Sequence, residues 1–361
     1  MLPHKILRRK DLTNSKMTSI IDQTRPDRNA CPKISIVVPA YNTEKFINRA
    51  LDSLINQDYP EKNYEIIIID DGSTDKTGKI CDDYAEKFPF IHVTHTENYG
   101  PAHARNVALK QCQGEYITFC DSDDFVSPQL ISILNLALKV YDNPDVIVWR
   151  AFMSRILPGW TIFPSDGWPV YDTVNIKAAE FWGQEEFSDR VVSDVKVQGF
   201  TWNKLYRRDI INGIEFSTEV RPFEDELWSL SIISHNENIK AHCIDYYLYC
   251  YCFAENENAE LHNKNLSYHC DGISAVIRLS ENILKIENLS EHSQKIIKGN
   301  IYDSALNTLF SVPVKMTDEA RAKLRKYVKN YARDYFKQPL PASKKIKMLI
   351  KHILVTLHIH K

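Results

Sequence analysis

Two carboxylates one residue apart, Asp121 and Asp123, follow the apolar run Tyr116 to Cys120. At a strand end they can converge on a hard divalent cation and leave positions open for diphosphate oxygens and water, as Mg²⁺ or Mn²⁺ prefers. The competing role is to cap the helix expected to open at Pro128. A second acidic turn, Asp70-Asp71-Gly72-Ser73, follows the run Glu65 to Ile69. Asp71 could accept the imide N–H of a uracil while Tyr41 flanks the ring, or it could close an Asx turn helped by Gly72. No glycine lies in the first strand-to-helix turn and no Walker A loop occurs, which argues against a dinucleotide or P-loop site. A cation held by carboxylates is the substitute for a glycine cradle around phosphate.

These turns need a scaffold, and the pattern supplies one. Ile34 to Pro39, Glu65 to Ile69, Ile91 to Thr94, Tyr116 to Cys120 and Val146 to Trp149 read as short strands. Between them lie segments with apolar residues at helical spacing, such as Phe46, Ile47, Ala50, Leu51, Leu54 and Ile55. Asn42, Thr43, Ser73 and Thr74 are the candidate helix caps, and Pro101 and Pro128 suit first turns. Such alternation predicts an α/β fold with a mainly parallel sheet covered on both faces. Ligands of such sheets bind beyond the carboxyl ends of the strands, where both acidic turns fall. Beyond residue 150 the periodicity weakens. Trp202 to Ile211 and Glu224 to Ile233 read as helices, Ile239 to Tyr251 as one or two strands, and the chain from Leu266 as helical.

The 361 residues are 43% hydrophobic and 25% charged, the range of a folded globular chain, and allow roughly two domains of about 150 residues. The net charge of −2 conceals a division. Residues 321 to 361 hold twelve Lys and Arg against one acid, Asp334, so a segment of +11 follows 320 residues carrying −13. No uninterrupted apolar stretch reaches 18 residues, and residues 1–31, with Arg8, Arg9, Lys10 and Asp11, read as a polar extension rather than a signal peptide. The eight cysteines lack metal or redox spacing and read as reduced thiols of a cytoplasmic protein.

The segments ISIVVPAYN (34–42), YEIIIIDDGSTD (64–75), ENYGPAHARNVAL (97–109) and GEYITFCDSDDFVSP (114–128) resemble, in order and spacing, the inverting family 2 glycosyltransferases of bacterial surface-polysaccharide synthesis. The resemblance implies a GT-A-like fold, a UDP-sugar donor, a saccharide or lipid-linked saccharide acceptor, and Mn²⁺ or Mg²⁺. By it Pro39, Tyr41 and Asp71 would contact uracil and ribose, Arg105 would support the nucleotide, Asp121 would lie near ribose and donor sugar, and Asp123 would hold the metal. Residues 202–208 (WNKLYRR) and 223–227 (FEDEL) resemble, more loosely, the segments around the catalytic base, which makes Asp225 the candidate base. A run of acids at a helix start is the bland alternative for Glu224 and Asp225. Many bacterial relatives follow this strand with a Tyr, an Arg and then a Ser that close over the diphosphate, whereas residues 246–260 hold no basic residue, and the Gln-x-x-Arg-Trp signature of processive synthases is absent. The implied organisation is a polar extension (1–31), a nucleotide-sugar half (32–150), an acceptor and base half (151–260), and a helical C-terminal region (261–361).

Within that region, residues 343–359 place Ile346, Leu349, Ile350, Ile353, Leu354 and Leu357 on one helical stripe flanked by lysines. Such a segment suits the headgroup layer of an anionic membrane at the inner face of the plasma membrane, or a terminal helix docked on the protein's own core. Neither a nucleic-acid partner nor a membrane span is expected. Two other classes fit parts of the pattern: a haloacid-dehalogenase-like phosphatase, from the Asp121-x-Asp123 spacing, and a non-catalytic saccharide-binding protein, from the aromatic residues between 155 and 202.

Overall fold

The structure is a computed structural model that describes residues 34–154 and 161–252, apart from 173–175, 177–178, 194–196, 198 and 220–223, together with scattered positions between 291 and 309, and 318–337 and 342–356. In chain order the elements are β1 (Ile34–Ala40), α1 (Ile47–Ile55), β2 (Tyr64–Asp70), α2 (Thr77–Lys87), β3 (Ile91–His95), α3 (Pro101–Gln111), β4 (Tyr116–Phe119), β5 (Phe125–Val126), α4 (Leu130–Val140), β6 (Val146–Met153), β7 (Thr161–Ile162), β8 (Glu180–Trp182), α5 (Gln184–Ser193), β9 (Lys204–Arg207), α6 (Arg208–Ile211), α7 (Glu224–His235), β10 (Ala241–Tyr251), α8 (Asp318–Phe336) and α9 (Ala342–Thr356). The polar extension 1–31 and the segment 253–290 lie outside the described residues.

Ten described strands form one sheet in the order β3-β2-β1-β4-β9-β6-β10-β5, with β7 on β6 and β8 on β10. The sheet is mixed. Strands β1, β2, β3 and β4 run parallel, as do β6 and β10, whereas β9 lies antiparallel between β4 and β6. All seven residues of β2 are buried, including four consecutive isoleucines, because helices cover both faces. Helix α1 buries Ile47, Ala50, Leu51 and Leu54, the stripe its spacing predicts, and α4 buries Leu130, Ile131, Ile133, Leu134, Ala137 and Leu138.

Two expectations are corrected. Residues 202–211 are not one helix, since 204–207 form β9 and only 208–211 are helical. Their apolar residues fall at helical spacing, but pairing to β4 on one side and β6 on the other overrides that pattern. The expected caps of α1 and α2 do not cap, because neither helix has a side-chain cap bond. Asn42, Thr43, Ser73 and Thr74 instead tie the two strand-end loops together.

The chain divides into two compact units that do not follow sequence order. The first comprises Met1–Gly183, Phe200–Gly213 and Asn238–Glu257, and holds the sheet. The second comprises Gln184–Gly199, Ile214–Glu237 and Asn258–Lys361. Among the described residues no helix is long and apolar enough to cross a membrane. The six described cysteines are buried thiols.

Candidate active site

Along the sheet β2 and β3 extend to one side of β1, and the chain then returns to place β4 on the other side. The order therefore reverses between β1 and β4, and the crevice beyond their carboxyl ends is where an open α/β sheet binds its ligand. Pro39 and Tyr41 lie at the end of β1, Asp71 at the end of β2, and Asp121 and Asp123 after β4. Tyr41 is 44% exposed, unusual for an aromatic beside a buried strand and suited to covering a planar ligand.

The first loop pair is built by reciprocal bonds. The Asn42 N–H donates to Ser73 Oγ (3.0 Å), the Thr74 N–H to Asn42 Oδ1 (2.8 Å), the Glu44 N–H to Asp75 Oδ2 (3.1 Å) and the Lys76 N–H to Glu44 Oε2 (3.1 Å). Partial burial acts to raise the Asp75 carboxyl, but bonds from the Thr77 hydroxyl and the N–H groups of Thr77 and Glu44 outweigh it and hold the group below its usual range. Asp71 is buried and accepts the Thr96 hydroxyl (3.2 Å), the Tyr99 N–H (3.1 Å) and the Gly100 N–H (2.6 Å). It thereby anchors the loop that opens α3. Gly72 has φ +74°, and a Cβ there would stand 2.7 Å from the Asn98 nitrogen, so this turn needs glycine. Next to it, Asp70 accepts from the Ser73 N–H (3.2 Å) and contacts His95 Nδ1 (2.8 Å), whose Nε2 meets Asp82 (3.1 Å).

The second acidic turn is arranged differently. Asp121 and Asp123 are half-buried, while Asp124 is enclosed. The Tyr249 hydroxyl on β10 donates to Asp124 Oδ2 (2.6 Å) and accepts the Asp121 N–H (3.1 Å), and the Cys252 N–H donates to Asp124 Oδ1 (2.6 Å). Burial, then the charges of Asp123 and Asp121, push the Asp124 carboxyl well up, and burial pushes the Tyr249 phenol up too, which keeps it a donor. Trp202 stacks on Tyr249 (4.7 Å, 13°) and fixes the ring. From α1, Arg49 donates to the Asp123 carbonyl (2.6 Å) with its guanidinium over the Phe125 ring (5.1 Å). Arg105, buried in α3, bonds Asp121 Oδ1 at 3.3 Å.

Among the described residues no three His, Cys, Asp or Glu side chains form a metal cage. A cation that keeps water and substrate oxygens needs only one or two carboxylates, and Asp121 and Asp123 supply hard oxygen donors with access to solvent, so the donor set fits Mg²⁺ or Mn²⁺. Sequence reasoning missed Arg49, Asp124 and Tyr249. Tyr249 sits in the run 246–252, which showed only the absence of a basic residue.

Asp225 lies in the second unit, in the first turn of α7. Its neighbours are tightly set. The Gly199 carbonyl accepts the Ser229 hydroxyl (3.1 Å), and a Cβ on Gly199 would fall inside the Glu226 backbone. Phe216 stacks on Trp228 (4.3 Å, 10°) beneath the same turn. Burial, and then the charge of Asp225, push Glu226 up to about 8, so at neutral pH Glu226 is largely protonated beside Asp225.

Residues 35–213 match the sequence model described as Glycosyl transferase family 2. The chain is 32% identical to "Glycosyltransferase GlyG" of Streptococcus pneumoniae serotype 4 over 218 residues, 57% of this chain and 69% of that protein. Three other curated glycosyltransferases are matched over 26% to 62% of their own length. Among solved structures, Staphylococcus aureus TarS 1-349 in complex with UDP-GlcNAc is similar at a TM-score of 0.60 and 24% identity, over 84% of this chain and 81% of that one. The mannosyltransferase PcManGT of Pyrobaculum calidifontis, in complex with GDP-Man and Mn²⁺, is similar at 0.51 and 16%, over 95% and 92%. These two likenesses establish the shared fold.

Proposed function

The chain belongs to glycosyltransferase family 2, and from that premise we propose that it transfers a sugar from a nucleotide-sugar donor, a UDP-sugar, to a saccharide or lipid-linked saccharide acceptor, with inversion at the anomeric carbon. The observation that carries this reading is the turn after β4. It keeps two carboxylates half-exposed at the sheet's switch point, on a backbone braced by Tyr249, Asp124 and Arg49. The proposed nucleotide-sugar half is 32–150 and the acceptor and base half 151–260.

In this proposal Tyr41 covers the uracil, with Pro39 beneath it. Asp71 uses its remaining acceptor position for the imide N–H, because Oδ2 carries one internal bond and can accept a second. Arg105 orients Asp121 toward the ribose and donor sugar. The Mn²⁺ or Mg²⁺ held at Asp123 would offset charge developing on the leaving diphosphate. Asp225 takes the proton from the acceptor hydroxyl as that oxygen attacks the anomeric carbon from the face opposite the diphosphate.

The phosphatase reading is not favoured, because the family match spans the acidic turns after both β2 and β4. A purely saccharide-binding role predicts no turnover. The test is release of UDP from a panel of UDP-sugars with Mn²⁺ and candidate acceptors. Asp225→Asn is expected to lower transfer by about 10²–10⁴ while donor binding, read by thermal stabilisation, persists. Normal turnover by Asp225→Asn would remove this mechanism.

A further inference from the structure

Helix α9 settles part of a question the sequence leaves open, because it has both an inner and an outer face. Met348 is 3% exposed, and His352 Nδ1 meets the hydroxyl of the buried Tyr302 at 3.0 Å, with Tyr302 packed on Tyr335 (4.6 Å). This side docks on the second unit. Ile346 (59%), Leu349 (47%), Ile350 (54%) and Ile353 (45%) stand exposed on the other. At about 100° per residue these four occupy an arc of about 100° whose centre is turned about 130° away from the midpoint of Met348 and His352. Lys347 falls about 110° to one side of that centre and Lys345 about 90° to the other, with Lys351 beyond Lys347.

We propose that this outer face of α9 is a membrane-docking surface, lying in the plane of an anionic lipid leaflet with its aliphatic side chains at the acyl boundary. The helix has 15 residues and is about 22 Å long, short of the ~30 Å hydrocarbon core, so it lies on a bilayer and does not cross it. Lysines on both flanks can extend their stems along the apolar stripe and set their ammonium groups among phosphates. Protein interfaces are depleted in lysine, whereas lipid-facing amphipathic helices are rich in it. Residues 342–356 contain no Asp or Glu. Pairing with the same face of a second copy would therefore bring lysine against lysine with no compensating acid. The charge division agrees, because +11 on residues 321–361 is attracted by an anionic leaflet while the rest of the chain carries −13. The proposal does not depend on the transfer reaction.

Flotation of the full chain with vesicles of phosphatidylglycerol and phosphatidylcholine, against phosphatidylcholine alone, tests it. The full chain is expected to float with the anionic vesicles at low salt and to be released as salt rises. Ile346→Glu with Ile350→Glu is expected to cut partitioning at least about tenfold without lowering the melting temperature, since both positions are exposed. Lys345→Gln with Lys347→Gln is expected to weaken the preference for anionic vesicles. Failure of the full chain to float, or equal flotation of the double glutamate variant, would overturn the proposal. So would a dimer, seen by light scattering, that the glutamate pair dissociates while neither protein binds vesicles.

Discussion

Two acidic turns end neighbouring regions of the same sheet edge, and they spend their carboxylates in opposite ways. After β2, Asp70 and Asp71 are buried and bonded inward, to His95 and to the backbone that opens α3. After β4, the turn is closed by one enclosed acid, Asp124, and Asp121 and Asp123 remain half-exposed. Equal acidity in sequence thus corresponds to unequal availability. One turn buries both of its carboxylates to hold loops in register, whereas the other buries Asp124 and leaves Asp123, and Asp121 beside Arg105, half-exposed.

If that division is right, substitutions in the two turns should separate stability from activity. Asp123→Asn is expected to give the largest effect, a loss of transfer of about 10²–10³ with melting temperature nearly unchanged, measured by UDP release beside a thermal melt. A comparable loss of stability would break the comparison. Asp71→Ala should lower stability, by about 3 kcal/mol in urea titrations, as well as donor binding, because the Tyr99 and Gly100 N–H groups lose an acceptor inside the protein. Tyr249→Phe should cost on the order of 1–2 kcal/mol and raise the Mn²⁺ concentration needed for thermal stabilisation by donor. An unchanged metal requirement would mean that the clamp does not shape the cation site.

The smallest effect concerns His95. Its hydrogen bond to Asp70 raises its pKa, partial burial opposes this, and Asp82 adds to the rise. A group whose folded pKa is raised contributes stability fully below its unfolded value, about 6.5, and loses the contribution as pH rises through the folded value. With the imidazole about half exposed, solvent screening limits this to about 1 kcal/mol or less. His95→Asn should therefore be less stable than the parent at pH 6 and closer to it at pH 9, by urea titration. A difference that grows with pH would reverse the assignment.

The position of both turns was legible in the sequence, because an apolar run followed at once by acids has few meanings in an alternating strand and helix pattern. What each carboxylate bonds was not. Asp71 is satisfied by Thr96, Tyr99 and Gly100, and Asp124 by a tyrosine 125 residues later, so nothing local to either turn reveals its partners. Residues 202–211 misled for a related reason. Trp202, Leu205, Tyr206, Ile210 and Ile211 match helical spacing, but the slot between β4 and β6 exists only in three dimensions. Of the aliphatic stripe expected over 343–359, Ile346, Leu349, Ile350 and Ile353 are exposed on α9, the side chain of Leu354 and all of Leu357 lie outside the described residues, and only the structure divides that helix into a docked and an exposed side.

That slot also bears on how the protein acquires its structure. Strand β9 fills it with Lys204 fully buried, its ammonium held by the Phe200 carbonyl and Asn203 Oδ1, while the Thr118 hydroxyl donates to the Lys204 carbonyl across 86 residues of chain. During synthesis β4 and β6 emerge well before the strand that joins them, leaving two edges without their partner. The turn that carries Asp121 and Asp123 sits directly after β4, so its scaffold depends on a long loop closure, which places completion of the proposed site late in folding. A chain ending near residue 150 would carry the whole proposed nucleotide-sugar half yet leave the β4 edge open to pairing with other chains.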